Sequence, residues 1–149
     1  YFLWFSAKAK KRTEALLKLV ELEDAADRLV ETYSKGMIQR LQIARGLIND
    51  PQIVFMDEPT VGLDPLGANM LRDIIRKLKA DGRTVLLTTH YMQEADELCD
   101  RIAIMNKGKI IAMDTADNLK KMYAPNGSKG TLEQAFLFLM KQNRTEKGV

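Results

Sequence analysis

Four consecutive apolar residues, Ile53–Met56, stand directly before the carboxylates of Asp57 and Glu58. A short continuous apolar run bounded by turn residues is typical of a strand that is buried on both faces of a parallel sheet. A second run of this kind, Thr84–Thr88, follows the amphipathic helical pattern of residues 71–78. Because strand, helix and strand alternate, the sequence predicts an α/β fold in which crossover helices connect a parallel sheet.

The remaining elements follow from apolar periodicity and from turn residues. Ser34 occupies the N-cap position of one predicted helix, and the turn at Asn106–Gly108 predicts a hairpin. The predicted helices cover residues 12–22, 24–30, 35–49, 71–80, 91–99, 116–122 and 132–142. The predicted strands are 53–56, 84–88, 102–105 and 110–112, with a linker at 126–130.

The composition excludes several classes of protein. The 149 residues include 23 basic and 20 acidic side chains, mixed along the chain, for a net charge of +3. No basic stripe is present, so we expect no nucleic-acid partner. One cysteine, Cys99, and one histidine, His90, rule out a disulfide framework and are too few for a zinc site. No apolar run approaches the roughly 20 residues of a membrane span.

Three polar positions are candidates for chemistry, and each also has a structural interpretation. Asp57 and Glu58 stand at the carboxyl end of a predicted parallel strand, where open α/β sheets bind ligands, although acidic residues also end strands that reach water. Ser34 opens a helix, where a hydroxyl and backbone amides suit phosphate, yet an ordinary N-cap looks the same. His90 follows the second strand and could equally be a polar residue at a helix start.

The order and spacing of these pieces give a family resemblance. Tyr-Ser-Lys-Gly-Met-Ile-Gln-Arg at 33–40 resembles the Leu-Ser-Gly-Gly-Gln-x-Gln-Arg signature of ATP-binding-cassette (ABC) ATPases. Asp-Glu-Pro at 57–59 resembles the end of the Walker B strand in that family, and Gly-Leu-Asp-Pro at 62–65 resembles its D-loop. His90 stands where its switch histidine would be. With these four motifs in order, the chain is identified as a member of the ABC ATPases.

The resemblance implies a fold and a division of the chain. The expected fold is a partial P-loop NTPase, in which a RecA-like core with a parallel sheet is joined to the ABC helical subdomain. Residues 1–50 would form the helical subdomain with the signature, and 51–122 the second half of the RecA-like core. Residues 123–149 would be a C-terminal linker and helix. The segment at 131–136 is similar to the C-terminal helix of ABC ATPases of the drug- and antibiotic-export type.

The resemblance also implies catalytic roles for three residues. Asp57 would hold Mg²⁺, as Walker B carboxylates do, and Glu58 would be the general base that polarises the attacking water. His90 would contact the γ-phosphate of ATP and that water. These roles agree with the needs of phosphoryl transfer, which depends on positioning and charge neutralisation.

The signature-like residues would act across a dimer. The resemblance implies that Ser34, Lys35, Gly36 and Met37 bind the γ-phosphate of ATP held by the opposite protomer, and that Asp64 reaches across the interface. Two positions depart from the family pattern, because Lys35 stands in place of a glycine and Met37 in place of a glutamine. Lys35 adds a positive charge near the phosphates, and Met37 lacks a hydrogen-bonding side chain.

The phosphate-binding loop G-x-x-x-x-G-K-[S/T] is not found in this sequence. Gly62 and Gly67 have the glycine spacing, but Ala68 and Asn69 follow where Lys and Ser or Thr are required. The Q-loop of the family is also missing. The sequence therefore predicts the C-terminal part of a cassette, which alone hydrolyses no ATP and is poorly soluble or associates.

The resemblance implies partners and a location. We expect a second ABC protomer in a head-to-tail dimer, transmembrane permease subunits, and a cytoplasmic position at the inner face of the membrane. The predicted function is the ATP-binding and ATP-hydrolysing subunit of an exporter. One alternative is a non-catalytic half that offers only its signature to the ATP of a partner. Another is a soluble ABC protein, although such proteins usually have tandem cassettes or long coiled-coil insertions.

Overall fold

Two compact units form the computed structural model, the first ending at Thr88 and the second beginning at Thr89. The structure describes residues 2–125 and 129–145. The first unit contains α1 (Phe2–Leu19), α2 (Lys35–Gly46), β1 (Ile53–Asp57), α3 (Pro65–Ala80) and β2 (Thr84–Thr88). The second contains α4 (Met92–Leu98), β3 (Ile102–Asn106), β4 (Lys109–Asp114), α5 (Ala116–Tyr123) and α6 (Leu132–Thr145). The family-based boundaries at residues 50 and 122 stay predictions.

The parallel pair predicted from the two apolar runs is present in the first unit. β1 and β2 pair in parallel, in a register that runs from Ile53 opposite Thr84 to Asp57 opposite Thr88. The crossover between them is α3, whose buried stripe consists of Leu71, Ile74, Ile75 and Leu78. This helix contacts β2, so one face of the two-stranded sheet has an apolar cover.

The outer face of the same sheet is open. Ile53, Phe55 and Leu86 share this face, and the side chain of Phe55 is 74% exposed. The prediction that both faces of these strands are buried is therefore wrong for this chain. The physical reason is that the described residues supply a covering layer, α3, on only one side of the sheet. An exposed apolar face of this kind favours association.

The polypeptide before the signature-like segment differs from the predicted helices. α1 begins at Phe2, ten residues before the predicted start. The predicted helix at 24–30 is wrong, because the chain forms two short 3₁₀ turns, Glu23–Ala25 and Val30–Thr32. Tertiary bonds hold these turns: the Tyr33 hydroxyl donates to the carbonyl of Ala25 at 2.6 Å.

Asp50 joins three segments of the first unit. Its carboxylate accepts from Arg83, just before β2, at 2.6 Å and from Arg12 of α1 at 3.1 Å. Arg12 also donates to the carbonyl of Leu47, at the end of α2. The carboxylate thus connects α1, the end of α2 and the beginning of β2.

We expect Asp50→Asn to lower the melting temperature at neutral pH, because Arg83 and Arg12 lose a shared negative partner. The hydrogen bond and charge of Arg83, followed by the charge of Arg12, hold the pKa of Asp50 below its ordinary value of 3.8. Because the pKa of Asp50 is lower in the folded state, its ionised carboxylate stabilises the fold fully at pH values above 3.8. This stabilisation is lost as the pH falls through the folded-state pKa. The difference between the two proteins should therefore shrink at pH values below 3.8.

Thermal unfolding followed by circular dichroism measures this effect. Asparagine tolerates the φ of +53° at position 50, so the substitution adds little backbone strain. The matched control is Asp73→Asn, whose carboxylate pairs with Arg76 three residues later on the exposed surface of α3. Equal changes in melting temperature for the two variants would contradict a special role for Asp50.

The second unit is built around the predicted hairpin. β3 and β4 pair antiparallel, with Lys107 and Gly108 in the left-handed region at the turn. A buried cluster that includes Ile104, Leu119 and Leu132 packs the hairpin against α5 and α6. Of the predicted linker, residues 126–128 lie outside the described residues. Within residues 2–125 and 129–145, no helix combines the length and apolar character that a membrane span requires.

Candidate functional site

Parallel pairing places two carboxylates beside a hydroxyl at the carboxyl end of the sheet. Asp57, the last residue of β1, lies opposite Thr88, the last residue of β2. The Thr88 hydroxyl donates to Oδ1 of Asp57. The amide of Glu58 donates to the carbonyl of Thr88 at 3.0 Å and lies 3.3 Å from its hydroxyl oxygen. Thr88 therefore directs the carboxylate of Asp57 and holds the backbone of Glu58.

The backbone turns sharply at Glu58. Its φ is +47°, a left-handed conformation that costs a non-glycine residue about 1–2 kcal/mol. The turn continues with a hydrogen bond from the amide of Val61 to the carbonyl of Glu58, and Thr60 is buried beneath it. The chain thereby leaves the sheet immediately after the carboxylates, so that Asp57 and Glu58 mark the sheet edge.

The segment that resembles a D-loop begins α3. Asp64 is the N-cap of this helix, and its Oδ1 accepts from the amide of Gly67 at 2.9 Å. A Cβ atom at position 67 would stand 2.7 Å from the same Oδ1, so a side chain there would make the Asp64 carboxylate shift. Asp64 thus has a local structural role in addition to the predicted role at a dimer interface, which stays a prediction.

The signature-like residues form the first turn of α2. The Ser34 hydroxyl accepts from the amide of Met37 at 3.3 Å, which confirms the predicted N-cap. Arg40, the last residue of the signature-like segment, donates to the carbonyls of Val20 and Glu21 just after α1. The exposed Ser34 hydroxyl and the helix N-terminus lie together, an arrangement that suits phosphate oxygens.

The structure brings the signature-like turn and the D-loop-like segment into contact within one unit. A Cβ atom placed on Gly36 would lie 3.8 Å from Cδ2 of Leu63. The end of the Lys35 side chain lies over Gly62. The sequence offers no periodic signal for these contacts, because they depend on how α2 packs in three dimensions.

His90 belongs to the second unit, two residues after the end of β2. Its exposed ring lies against that of Tyr91, with the centroids 4.2 Å apart and the planes at 37°. The amide of Tyr91 donates to the Thr89 hydroxyl at 3.0 Å, which fixes the turn into α4. The aromatic neighbour was not anticipated, although its position next to His90 in the sequence is a signal that could have indicated it.

The oxygen atoms of side chains at the sheet edge are the type of ligand that Mg²⁺ prefers. No cluster of three or more His, Cys, Asp or Glu side chains suited to a metal occurs in the part of the chain that the structure describes. Mg²⁺ in phosphate-transfer sites, however, takes only one or two protein carboxylates and completes its shell with water and phosphate oxygens. The carboxylate of Asp57 beside the Thr88 hydroxyl fits that smaller requirement.

Comparison with known proteins identifies the same family as the sequence motifs. A family model described as ABC transporter matches residues 4–61. A fluoroquinolones export ATP-binding protein of Mycobacterium tuberculosis is 52% identical over 80% of this chain and 40% of its own length. A daunorubicin/doxorubicin resistance ATP-binding protein of Streptomyces peucetius is 48% identical over 80% of this chain and 36% of its own length. This chain belongs to the ABC ATPase family.

Solved structures agree with that assignment. An ATP-binding subunit of an ABC transporter superposes with a TM-score of 0.74 at 29% identity, covering 90% of this chain and 55% of that one. A nucleotide-free ABC transporter cassette gives a TM-score of 0.68 at 27% identity, covering 72% of this chain and 43% of that one. The predicted fold class, a partial P-loop NTPase, is confirmed. The chain spans about 40% of the length of the first curated relatives it matches.

Proposed function

We propose that this ABC chain is part of the ATP-binding subunit of an exporter and supplies the catalytic carboxylate and the signature of an ATP-hydrolysing dimer. The observation that carries the proposal is the sheet edge, at which the Thr88 hydroxyl bonds the Asp57 carboxylate and the Thr88 carbonyl accepts from the backbone amide of Glu58. The similarity to ATP-binding proteins of fluoroquinolone and daunorubicin export supports the exporter assignment. A complete subunit would take ATP and Mg²⁺.

Glu58 is the proposed general base of the reaction. Its left-handed backbone turns the chain away from the sheet directly beyond the Walker B strand, and its amide is bonded to Thr88. In this role the carboxylate would accept a proton from the attacking water as the bond from the water oxygen to the γ-phosphorus forms and the bond to the β–γ bridging oxygen breaks, with ADP as the leaving group. His90 would donate a hydrogen bond to the γ-phosphate and orient the same water.

Asp57 is the proposed Mg²⁺ ligand. Its carboxylate would hold the ion, directly or through water, with Thr88 fixing its orientation. The ion, when bound, neutralises charge on the phosphate oxygens. The protein contribution at this position is a carboxylate already directed by a hydroxyl, which lowers the cost of ordering it.

The signature would serve the ATP of a second protomer. Ser34, Lys35, Gly36 and Met37 form an exposed or half-exposed helix start, with amides and a hydroxyl available at one end. Asp64 lies in the D-loop that packs beside this turn. We propose a head-to-tail dimer in which these residues face the opposite nucleotide, bound to permease subunits at the cytoplasmic face of the membrane.

A chimera provides the test of this proposal. The corresponding segment of the M. tuberculosis relative, at 52% identity, is replaced by this chain, so that the relative supplies the remaining residues. We expect the chimera to bind Mg-ATP and release phosphate steadily, and the 149-residue chain alone to show no turnover, because its sequence has no phosphate loop. Phosphate release is measured for both proteins.

The outcomes separate the proposed function from its alternative. Steady turnover by the chain alone, lost on Glu58→Gln, would contradict the proposal. A chimera that folds and binds ATP but never hydrolyses it would favour the non-catalytic half that offers only its signature. The specific observation behind that second candidate is an intact signature N-cap at Ser34 in a sequence with no phosphate loop.

A further inference from the structure

Lys35 lies across Gly62, the first residue of the D-loop segment Gly62–Pro65. A Cβ atom built on Gly62 would overlap Nζ of Lys35 and stand 3.2 Å from its Cε. Gly62 has a φ of +72°, in the region that glycine adopts without strain. The lysine side chain therefore packs on bare backbone, in space that any other residue at position 62 would fill.

Gly36 lies near the same segment one residue further on. A Cβ atom built on Gly36 would stand 3.8 Å from Cδ2 of Leu63. The first turn of α2 therefore lies beside the D-loop, with the Lys35 side chain over Gly62 as the contact between them.

Charge pairing does not explain the position of the lysine. No hydrogen bond or ion pair involves the Lys35 side chain among the residues that the structure describes. The side chain covers Gly62 through its last atoms, Cε and the ammonium Nζ, which lie against the bare backbone of the glycine.

We infer that Lys35 is a positioning residue that holds the D-loop segment Gly62–Pro65 against the first turn of α2, so that Ser34 and Asp64 face a second protomer as one surface. The ABC signature has glycine at the position of Lys35, and glycine has no side chain that could make this contact. The statement about the second protomer rests on the proposed function, whereas the contact itself does not.

Hydrogen exchange of the full 149-residue chain tests the contact. The reporter is the amide of Leu63, which donates to the carbonyl of Thr60 at 3.2 Å. We expect Lys35→Ala to speed exchange of the peptide that contains this amide roughly two- to fivefold, because the D-loop then opens more often. Lys35→Met retains an unbranched chain of similar length and should exchange like the unsubstituted chain. The amide of Thr84, bonded to Gln52, is the folding control.

Each outcome decides the inference. Unchanged exchange in Lys35→Ala, or equal acceleration in Lys35→Met, overturns it. If the chimera has no activity at all, the proposed function fails, while the exchange of the chain still decides whether Lys35 holds the D-loop.

Discussion

Replacing Glu58 by glutamine in a complete cassette that contains this segment is expected to lower ATP hydrolysis about 10²–10⁴-fold and to leave ATP binding intact. The amide has nearly the same shape as the carboxylate but cannot accept the proton of the attacking water. The backbone amide and carbonyl of Glu58 bond to Thr88 and Val61, and the substitution leaves both of these backbone bonds in place.

Two measurements on the same protein check this expectation. Phosphate release reports hydrolysis, and retention of labelled ATP after rapid gel filtration reports binding. Glu31→Gln is the matched control, because this exposed carboxylate lies in a 3₁₀ turn away from the sheet edge and undergoes the same chemical change. Should the Glu58→Gln protein keep most of its turnover, another group would have to be the base.

Mixed dimers are expected to show that Ser34 serves the nucleotide of the opposite protomer. In a Glu58→Gln background, one protomer receives a dead phosphate loop and the other receives Ser34→Arg, which places a bulky cation at the helix start. If each site is shared across the interface, both lesions fall in one site, and the dimer still traps one ATP per two protomers.

The reciprocal arrangement is the control for this prediction. With both lesions in the same protomer, each composite site contains one damaged part, and trapping should be lost. ATP trapping is measured instead of turnover, since turnover could require two intact sites. If the double-lesion protomer were the arrangement that traps ATP, and the split arrangement trapped none, Ser34 would act within its own protomer.

Local pattern predicted the elements of the fold that depend on neighbouring residues. The apolar runs gave β1 and β2 to within one residue, and Ser34 was correctly predicted as an N-cap because capping depends on local hydrogen bonds. The helix predicted at 24–30 is absent, and the Tyr33 hydroxyl bonds to the carbonyl of Ala25 in this segment, a side-chain contact that periodicity does not describe.

The candidate site, too, could be predicted from the sequence only in part. Asp57 and Glu58 could be placed at a sheet edge from the sequence, because parallel strands end with their carboxyl ends together. Thr88 could not be assigned as the residue that directs them, since this depends on the register that sets Asp57 opposite Thr88. The covering of Gly62 by Lys35 likewise required coordinates, as the two residues are far apart in sequence.

Under the proposed role of Glu58 as the base, its left-handed backbone sets folding stability against catalysis. Glycine would adopt a φ of +47° freely, and asparagine with little strain, whereas glutamate adopts it at a cost of about 1–2 kcal/mol. A sequence optimised only to stay folded would therefore have chosen one of the smaller residues. Natural proteins tolerate such costs where activity requires a particular side chain. Glu58, the residue of this turn with a left-handed backbone, is thus also the proposed base, and we expect selection to act against its replacement.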